Sequence, residues 1–254
     1  MHSFDPQSAA ERYAHGRPYF HPHVIGRIKA YLALPQPVAR AIDVGCGTGL
    51  STLALKAIAD HVVGVDRSAE MLTLAPSDPQ LEYLVGLAEK LPVNDNDFDL
   101  MTLSSAFHWI DRSAFFAEAR RVLRPRAWLV VYDNYFTAQM DGNPAYQTWA
   151  REHFLTRYPR PPRARVGFDA EDSRREGFHF AGQENYQNVV KFSVGTLVDY
   201  LVTQSNIIAR VEGGDERIQD VRQWLTDSVA PFFDQRAEAA FIFGGPIWYL
   251  RRAG

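Results

Sequence analysis

The 254-residue chain holds a single cysteine, Cys46. No internal disulfide can form, and a cysteine-only zinc site is excluded. No apolar run is long enough to span a bilayer as a helix. No repeat with a period of about 20–50 residues is present, and no low-complexity tract. An excess of one charge is also missing. The 27 Lys and Arg nearly balance 30 Asp and Glu, for a formal net charge of −3, so neither nucleic acid nor an anionic membrane is marked as a partner. The stretch MHSFDPQSAAERYAHGRP is polar and has no signal-peptide apolar core. These absences lead to the expectation of a cytoplasmic protein.

What is present is an ordinary globular composition, 46% hydrophobic and 22% charged. The length suits one α/β domain with an elaboration, or two small domains, and can bury a core without staples. Residues 38–44 (VARAIDV) read as a short strand ending in a glycine-rich turn. Leu50, Leu53, Ala54, Ala57 and Ile58 recur at helical spacing over 49–60. HVVGVD, LEYLVG and FDLMTLSS read as the next three strands. Between the first two of these, Ser68 is an N-cap for a helix through Leu74 that Pro76 stops. Asp111 caps an amphipathic helix, DRSAFFAEARRVLR, ended by Pro125, and AWLVVYD is a fifth strand. Strands alternating with helices predict an α/β fold, a doubly wound, mostly parallel sheet covered on both faces.

Beyond Asp133 the rhythm changes. A helical stretch around Tyr146–Phe154 precedes RYPRPPRARVG, an expected exposed loop carrying Arg157, Arg160, Arg163 and Arg165. ENYQNVVKFS reads as a strand, 195–212 and 215–230 as helices, and AAFIFGGPIWYLRR as a strand with a Gly-Gly-Pro interruption.

The chemistry concentrates in Asp43-Val44-Gly45-Cys46-Gly47-Thr48-Gly49. Glycines tolerate positive φ and admit a ligand close to the backbone, and the following helix presents unpaired N–H groups. Asp43, just before the loop, attracts an ammonium and repels the pyrophosphate of a dinucleotide. Asp66, with Arg67 beside it, ends the second strand where an acid accepts both hydroxyls of a ribose. A strand-end or capping role is the alternative for Asp66. A nicotinamide cofactor is disfavoured, since Leu50 stands where GxGxxG has its third glycine.

AIDVGCGTGLST followed by VVGVDRSAEML resembles the first two motifs of class I S-adenosylmethionine-dependent methyltransferases. GLAEKLPVNDNDFDLMTLSSAFHWID resembles the motifs that follow in the methyltransferase type 11 group, and its His108-Trp109 is similar to a trans-aconitate methyltransferase-like subgroup. The resemblance implies a Rossmann-like, seven-stranded sheet with the last strand antiparallel. It implies one domain over 1–254, with an N-terminal helical lid at 1–37 and a cofactor-binding half at 38–133. A helical substrate cap with the sixth strand follows at 134–235, and the final strand at 236–254. The implied cofactor is S-adenosylmethionine, held by Asp43, Gly45, Cys46, Gly47, Gly49 and Asp66.

At the adenine end the resemblance implies backbone contacts around Ala88. Leu87 replaces the usual acid there, Glu89 is either a substitute acceptor or a solvated acid near Lys90, and Met71 either covers the ring or packs in the core. At the reaction end stand Ser104 and His108. The His108 side chain suits proton transfer near neutral pH; the alternative is that His108-Trp109 starts the next helix and packs structurally. A base is needed only if the acceptor must lose a proton. In the lid, Tyr13 is placed near the methionine end and Arg17 against its carboxylate, a surface salt bridge being the alternative for Arg17. His2, His15, His21 and His23 do not make a metal spacing, and no metal is expected. Thr203-Gln204-Ser205-Asn206, a polar run in an apolar helix, faces either a cavity or solvent. Phe136, Tyr146, Trp149 and Tyr200 wall that cavity or pack in the core. The expected activity is methyl transfer to a small molecule, a carboxylate among the candidates, with no nucleic acid or membrane partner. The rivals are a nicotinamide-dependent oxidoreductase and a methyltransferase-fold protein that binds cofactor without turnover.

Overall fold

The computed structural model describes residues 7–160 and 167–254. The chain forms two compact units. One, the sheet unit, comprises Tyr19–Asn134, Arg163–Tyr186 and Gly245–Gly254; the other, the aromatic unit, comprises Met1–Pro18, Tyr135–Pro162 and Gln187–Gly244.

The sheet unit is built on β1 (Val38–Val44), β2 (Ala59–Asp66), β3 (Leu81–Val85), β4 (Phe98–Ser104) and β5 (Leu123–Tyr132). Its strands run in the order β3-β2-β1-β4-β5, all parallel. The last strand, β8 (Ala239–Arg252), then pairs antiparallel with β5 through Ile247–Arg251. This is the doubly wound sheet with an antiparallel last strand that the resemblance implied, but with eight strands among the described residues where seven were expected. The alternation of side chains explains why both faces are covered. Ile42, Val44, Met101 and Leu103 face a cluster built on the helix Arg112–Val122 through Phe115, Phe116 and Ala119. Ala41, Leu100 and Val130 face the opposite cluster, with Val24, Ile25 and Ile28 of the helix His21–Tyr31 and Ala54 and Leu55 of the helix Leu50–Leu55.

The aromatic unit contains β6 (Tyr135–Met140), a strand the sequence reading missed, paired antiparallel with the Phe241–Gly244 part of β8. The long β7 (Phe178–Phe192) also pairs with β8 and passes from one unit to the other. Tyr146, Trp149, Tyr200 and, at its margin, Phe136 belong to the core of this unit together with Phe154, Phe192 and Phe241. Of the two readings for these aromatics, core packing is the one observed.

Three expectations about local structure are corrected. Pro125 does not end the helix before it. The helix stops at Val122, and Pro125 lies inside β5. The ladder to β4 jumps there from Phe98↔Leu123 to Leu100↔Trp128, and Arg126 has a positive φ of 65°. A bulge removes the need for the proline's missing N–H. Residues 195–212 form two helices, Val194–Leu201 and Ser205–Glu212. The polar run Thr203–Asn206 is their corner and does not present a helix face to a cavity or to solvent. Thr203, Ser205 and Asn206 are buried; Thr203 Oγ1 donates to Tyr200 O at 2.6 Å and Asn206 Nδ2 to Tyr158 O at 2.6 Å. Thr203 thus satisfies a carbonyl near the end of the first helix, and Asn206 one just past the helical stretch that ends at Arg157. Arg157 leaves the expected basic loop to pair with Glu216 at 2.7 Å and to lie over Trp224. Arg163 and Arg165, like His2, lie outside the described residues.

Within the aromatic unit, Gly16 lets the helix Gln7–Gly16 approach the helix Val194–Leu201 closely. A Cβ on Gly16 would collide with the Asp199 carbonyl oxygen and stand 2.7 Å from Thr203 Cγ2. Gly26, also helical, has nothing within 4 Å of such a Cβ. Thermal unfolding is therefore expected to separate the two. Gly16→Ala should destabilise by about 1–3 kcal/mol through overpacking, whereas Gly26→Ala should stabilise by up to about 1 kcal/mol through helix propensity. Equal shifts in melting temperature would refute this reading of the packing.

Candidate functional site

The sheet order places β1 and β4 side by side at the point where the chain's direction of winding reverses, and ligands of open α/β sheets bind outside the carboxyl ends of such strands. The glycine loop lies there. Gly45, Gly47 and Gly49 all have positive φ, of 68°, 55° and 75°, a conformation that side-chain-bearing residues adopt only at a cost. The loop is sewn to the neighbouring strand, since Gly45 N and Cys46 N both donate to Val65 O, at 2.8 and 3.1 Å. Space as well as φ requires glycine. A Cβ on Gly45 would stand 2.8 Å from Ala106 Cβ in the loop after β4, and one on Gly47 would stand 3.1 Å from Met71 Cε.

Asp43 is completely buried beneath the loop. Its Oδ2 accepts from Ser51 Oγ at 2.6 Å and Thr52 Oγ1 at 2.8 Å, and its Oδ1 from Thr102 Oγ1 at 2.9 Å. The carboxyl thus joins β1 to β4 and to the helix after the loop. Burial outweighs these three donors and pushes its pKa up to about 6. Asp66 is half-buried at the end of β2. Its Oδ2 accepts Gly47 N at 2.8 Å and its Oδ1 accepts Ser68 N at 2.9 Å, while burial raises its pKa. Ser68 caps the helix after it as the sequence predicts, accepting from Met71 N. Arg67 is exposed and Met71 buried. Burial holds the Cys46 thiol far above its ordinary pKa, so Cys46 contributes shape and backbone and is not a nucleophile.

After β3 the chain turns tightly, with Lys90 N donating to Leu87 O at 3.0 Å. Val85 and Leu87 are exposed, at 57% and 49%, so apolar surface lies open at the edge beside Asp66. Ala88 packs against the core. Glu89 does structural work, its Oε1 accepting Asp111 N at 2.8 Å, while Asp111 caps the next helix through Ala114 N. Ser104 ends β4 opposite Tyr132. His108 sits in a short 3-10 turn, Phe107–Trp109, with its ring 4.8 Å from that of Trp109; Phe107 is buried and Trp109 half exposed.

Tyr13 and Arg17 belong to the aromatic unit. There the Arg17 guanidinium lies over the rings of Tyr13 (4.7 Å) and Tyr200 (5.4 Å), and its Nη2 donates to Thr203 O at 3.1 Å. Sequence reasoning missed one polar residue of the sheet unit. His21 is buried and its Nδ1 lies 3.0 Å from Tyr132 Oη. The signal was present, because His21, Val24, Ile25 and Ile28 recur at helical spacing and all four are buried.

Residues 42–131, from the glycine strand through β5, match the family model described as a methyltransferase domain. These residues are a class I methyltransferase domain. An uncharacterized methyltransferase of Mycobacterium tuberculosis is 39% identical over 119 residues, covering 46% of this chain and 47% of that protein. An O-methyltransferase of Aspergillus nomiae is 33% identical over 132 residues, 48% of this chain and 57% of that one. The chain spans about half the length of these curated relatives in each match. A solved structure, a putative type II methyltransferase from Anaeromyxobacter dehalogenans, superposes with a TM-score of 0.65 at 23% identity. It covers 93% of this chain and 96% of that one, and the likeness is one of fold. The methyltransferase domain thus accounts for the most regular stretch of the chain, and the aromatic unit lies outside the matched residues. No helix among the described residues is long and apolar enough to cross a membrane.

Proposed function

We propose that the protein is an S-adenosylmethionine-dependent methyltransferase acting on a small molecule through an oxygen, a carboxylate oxygen among the candidates. The observation that carries this reading is the loop of three left-handed glycines at the switch point, with Asp43 beneath it and Asp66 tied to it. The residues fit the cofactor: three left-handed glycines keep the loop bare of side chains and packed tightly on its own neighbours, and an acid at the end of β2 matches a ribose. Gly45, Cys46, Gly47 and Gly49 would hold it through backbone, Asp66 and Arg67 at the ribose, Met71, Leu87, Ala88 and Glu89 toward the adenine. Asp43 and Ser104 would serve its amino-acid end. When bound, it supplies an electrophilic methyl group on a positively charged sulfur.

Alignment and exclusion of water are then the protein's main contributions. His108 takes the proton of an acceptor that carries one, and an ionised carboxylate needs no base. The O-methyltransferase relative supports oxygen as the accepting atom, and the net charge of −3 supports a small molecule over nucleic acid.

Calorimetric titration with S-adenosylmethionine, S-adenosylhomocysteine and NADH tests the reading. The first two are expected to bind and NADH not to. Asp66→Ala, which removes acceptors worth about 1.5–3 kcal/mol, should weaken S-adenosylhomocysteine by roughly ten- to a hundredfold with the melting temperature monitored alongside. Tight NADH binding with none of the methyl donor would overturn the proposal.

A further inference from the structure

His21 and Tyr132 form a buried polar pair that no step above uses. Tyr132 ends β5 and is completely buried; His21 is buried beside it at the start of its helix. Their contact, His21 Nδ1 to Tyr132 Oη, measures 3.0 Å. The His21 ring is held on its other side by Phe20, at 4.1 Å between ring centres. Tyr132 is also hydrogen-bonded through its side chain to Ser104, the residue opposite it in the β4–β5 ladder. The backbone repeats the link, with Ser105 N donating to Tyr132 O at 2.9 Å. Ser105 takes a positive φ of 54°, strained for a residue with a side chain. The next residue, Ala106, leaves no room for a Cβ on Gly45. The tie from His21 therefore ends on the loop that abuts the glycine loop.

The hydrogen-bond inventory allows this chain two directions, and in the one that ends on His21, Ser104 is the first donor. A phenol has one proton, and an imidazole that is not charged has one acceptor nitrogen. Burial without a counter-ion keeps His21 neutral and Tyr132 protonated. With Ser104 donating to the phenol oxygen, the phenol proton goes to His21 Nδ1, and the Ser104 oxygen keeps lone pairs to offer as an acceptor. The sheet order β2-β1-β4 places Asp66 on one side of the glycine loop and Ser104 on the other. A ligand whose ribose meets Asp66 extends toward Ser104 with its cationic amino-acid end.

We propose that His21 is a positioning residue: by accepting the Tyr132 hydroxyl proton it orients Ser104 as a hydrogen-bond acceptor for the cationic end of an amino-acid-bearing nucleoside. The proposal rests on the cofactor reading given above. It is tested with full-length protein by comparing S-adenosylhomocysteine with adenosine, which lacks the amino-acid end. His21→Phe keeps a ring and removes the acceptor; it should weaken S-adenosylhomocysteine about tenfold, the worth of one charge-assisted hydrogen bond, and leave adenosine unchanged. His21→Asn, which can accept from the phenol, should recover most of the loss. Tyr132→Phe, a smaller change should His21→Phe fail to fold, should reproduce the selective loss. Nitrogen-15 spectra should show His21 protonated on Nε2.

Unchanged S-adenosylhomocysteine affinity in a folded variant overturns the proposal. So does a parallel loss of both ligands, which marks a merely structural role, or a proton on Nδ1. Wild-type protein that binds neither ligand would sink the cofactor reading itself, an outcome distinct from these.

Discussion

The stability of Asp43→Asn relative to wild type is expected to be about 3 kcal/mol higher at pH 7.5 than at pH 4. The carboxyl of Asp43 titrates near 6 in the folded protein against an ordinary value of 3.8, a gap of roughly 2 pH units worth about 3 kcal/mol. The sign follows from the raised value. Between these two pH values the folded state holds a proton that the unfolded chain has released. The contribution is thus fully present below 3.8 and is lost as pH rises through 6. His21 acts in the opposite direction. Its folded value of about 3 lies below the ordinary 6.5, because burial disfavours the imidazolium beside Tyr132 and Phe20. Its contribution is present above 6.5 and is lost as pH falls toward 3, by up to about 5 kcal/mol.

Between pH 4 and 6 the two slopes have similar size and opposite sign. Chemical denaturation at several pH values resolves them by difference, which removes the other carboxylates. Asp43→Asn should make the protein more sensitive to acid than wild type over this range. His21→Asn should make it less sensitive. Parallel stability profiles for all three proteins would show that neither group titrates as its burial demands.

Gly49→Ala should lose stability and ligand affinity together. Gly49 is the residue before the helix Leu50–Leu55, at φ 75°. A Cβ there would stand 2.7 Å from Tyr83 Oη, 2.9 Å from Tyr83 Cε1 and 3.0 Å from Ala75 Cβ. The left-handed backbone alone costs a non-glycine residue about 1–2 kcal/mol, and forcing Tyr83 aside adds about 1–3 kcal/mol. Loop and helix N-terminus move as one, so S-adenosylhomocysteine affinity should fall by more than tenfold. A Gly49→Ala, Tyr83→Phe double variant should recover part of the stability, since the phenol oxygen is the nearest obstacle. Full retention of both properties in the single variant would remove the steric account of this glycine.

The contrast between what the sequence disclosed and what it concealed has a physical pattern. β1 to β4 were legible because each is a short, mostly apolar run with glycine, aspartate or serine at its end. The Ser68 and Asp111 caps were legible because capping is local. Pro125 misled because a bulge anchored by Arg126 lets a strand include it, and a bulge is set by the neighbouring strand. The corner at Thr203 and Gln204 was hidden in a run apolar enough to read as one helix; Asn206 reaches back 48 residues to Tyr158. At the site, Asp43 and Asp66 were read for the charges they offer a ligand. Their hydrogen bonds to Thr102 and Gly47 come from packing across strands. The His21–Tyr132 contact joins residues 111 apart, and only the burial of His21, not its partner, could be inferred from helical spacing.

The division of the chain between its two units bears on how it is made. In order of synthesis the polypeptide enters the sheet unit three times, at Tyr19, Arg163 and Gly245. Among the described residues the outer edge of β5 is covered by Ile247–Arg251, far along the chain from β5 itself. Until those residues leave the ribosome, β5 presents Leu129, Val130 and Val131 on an unpaired edge, the kind of surface that recruits strands from other chains. A chain cut before Gly245 leaves that margin of β5 unpaired, and removing residues 245–254 should raise the tendency to aggregate.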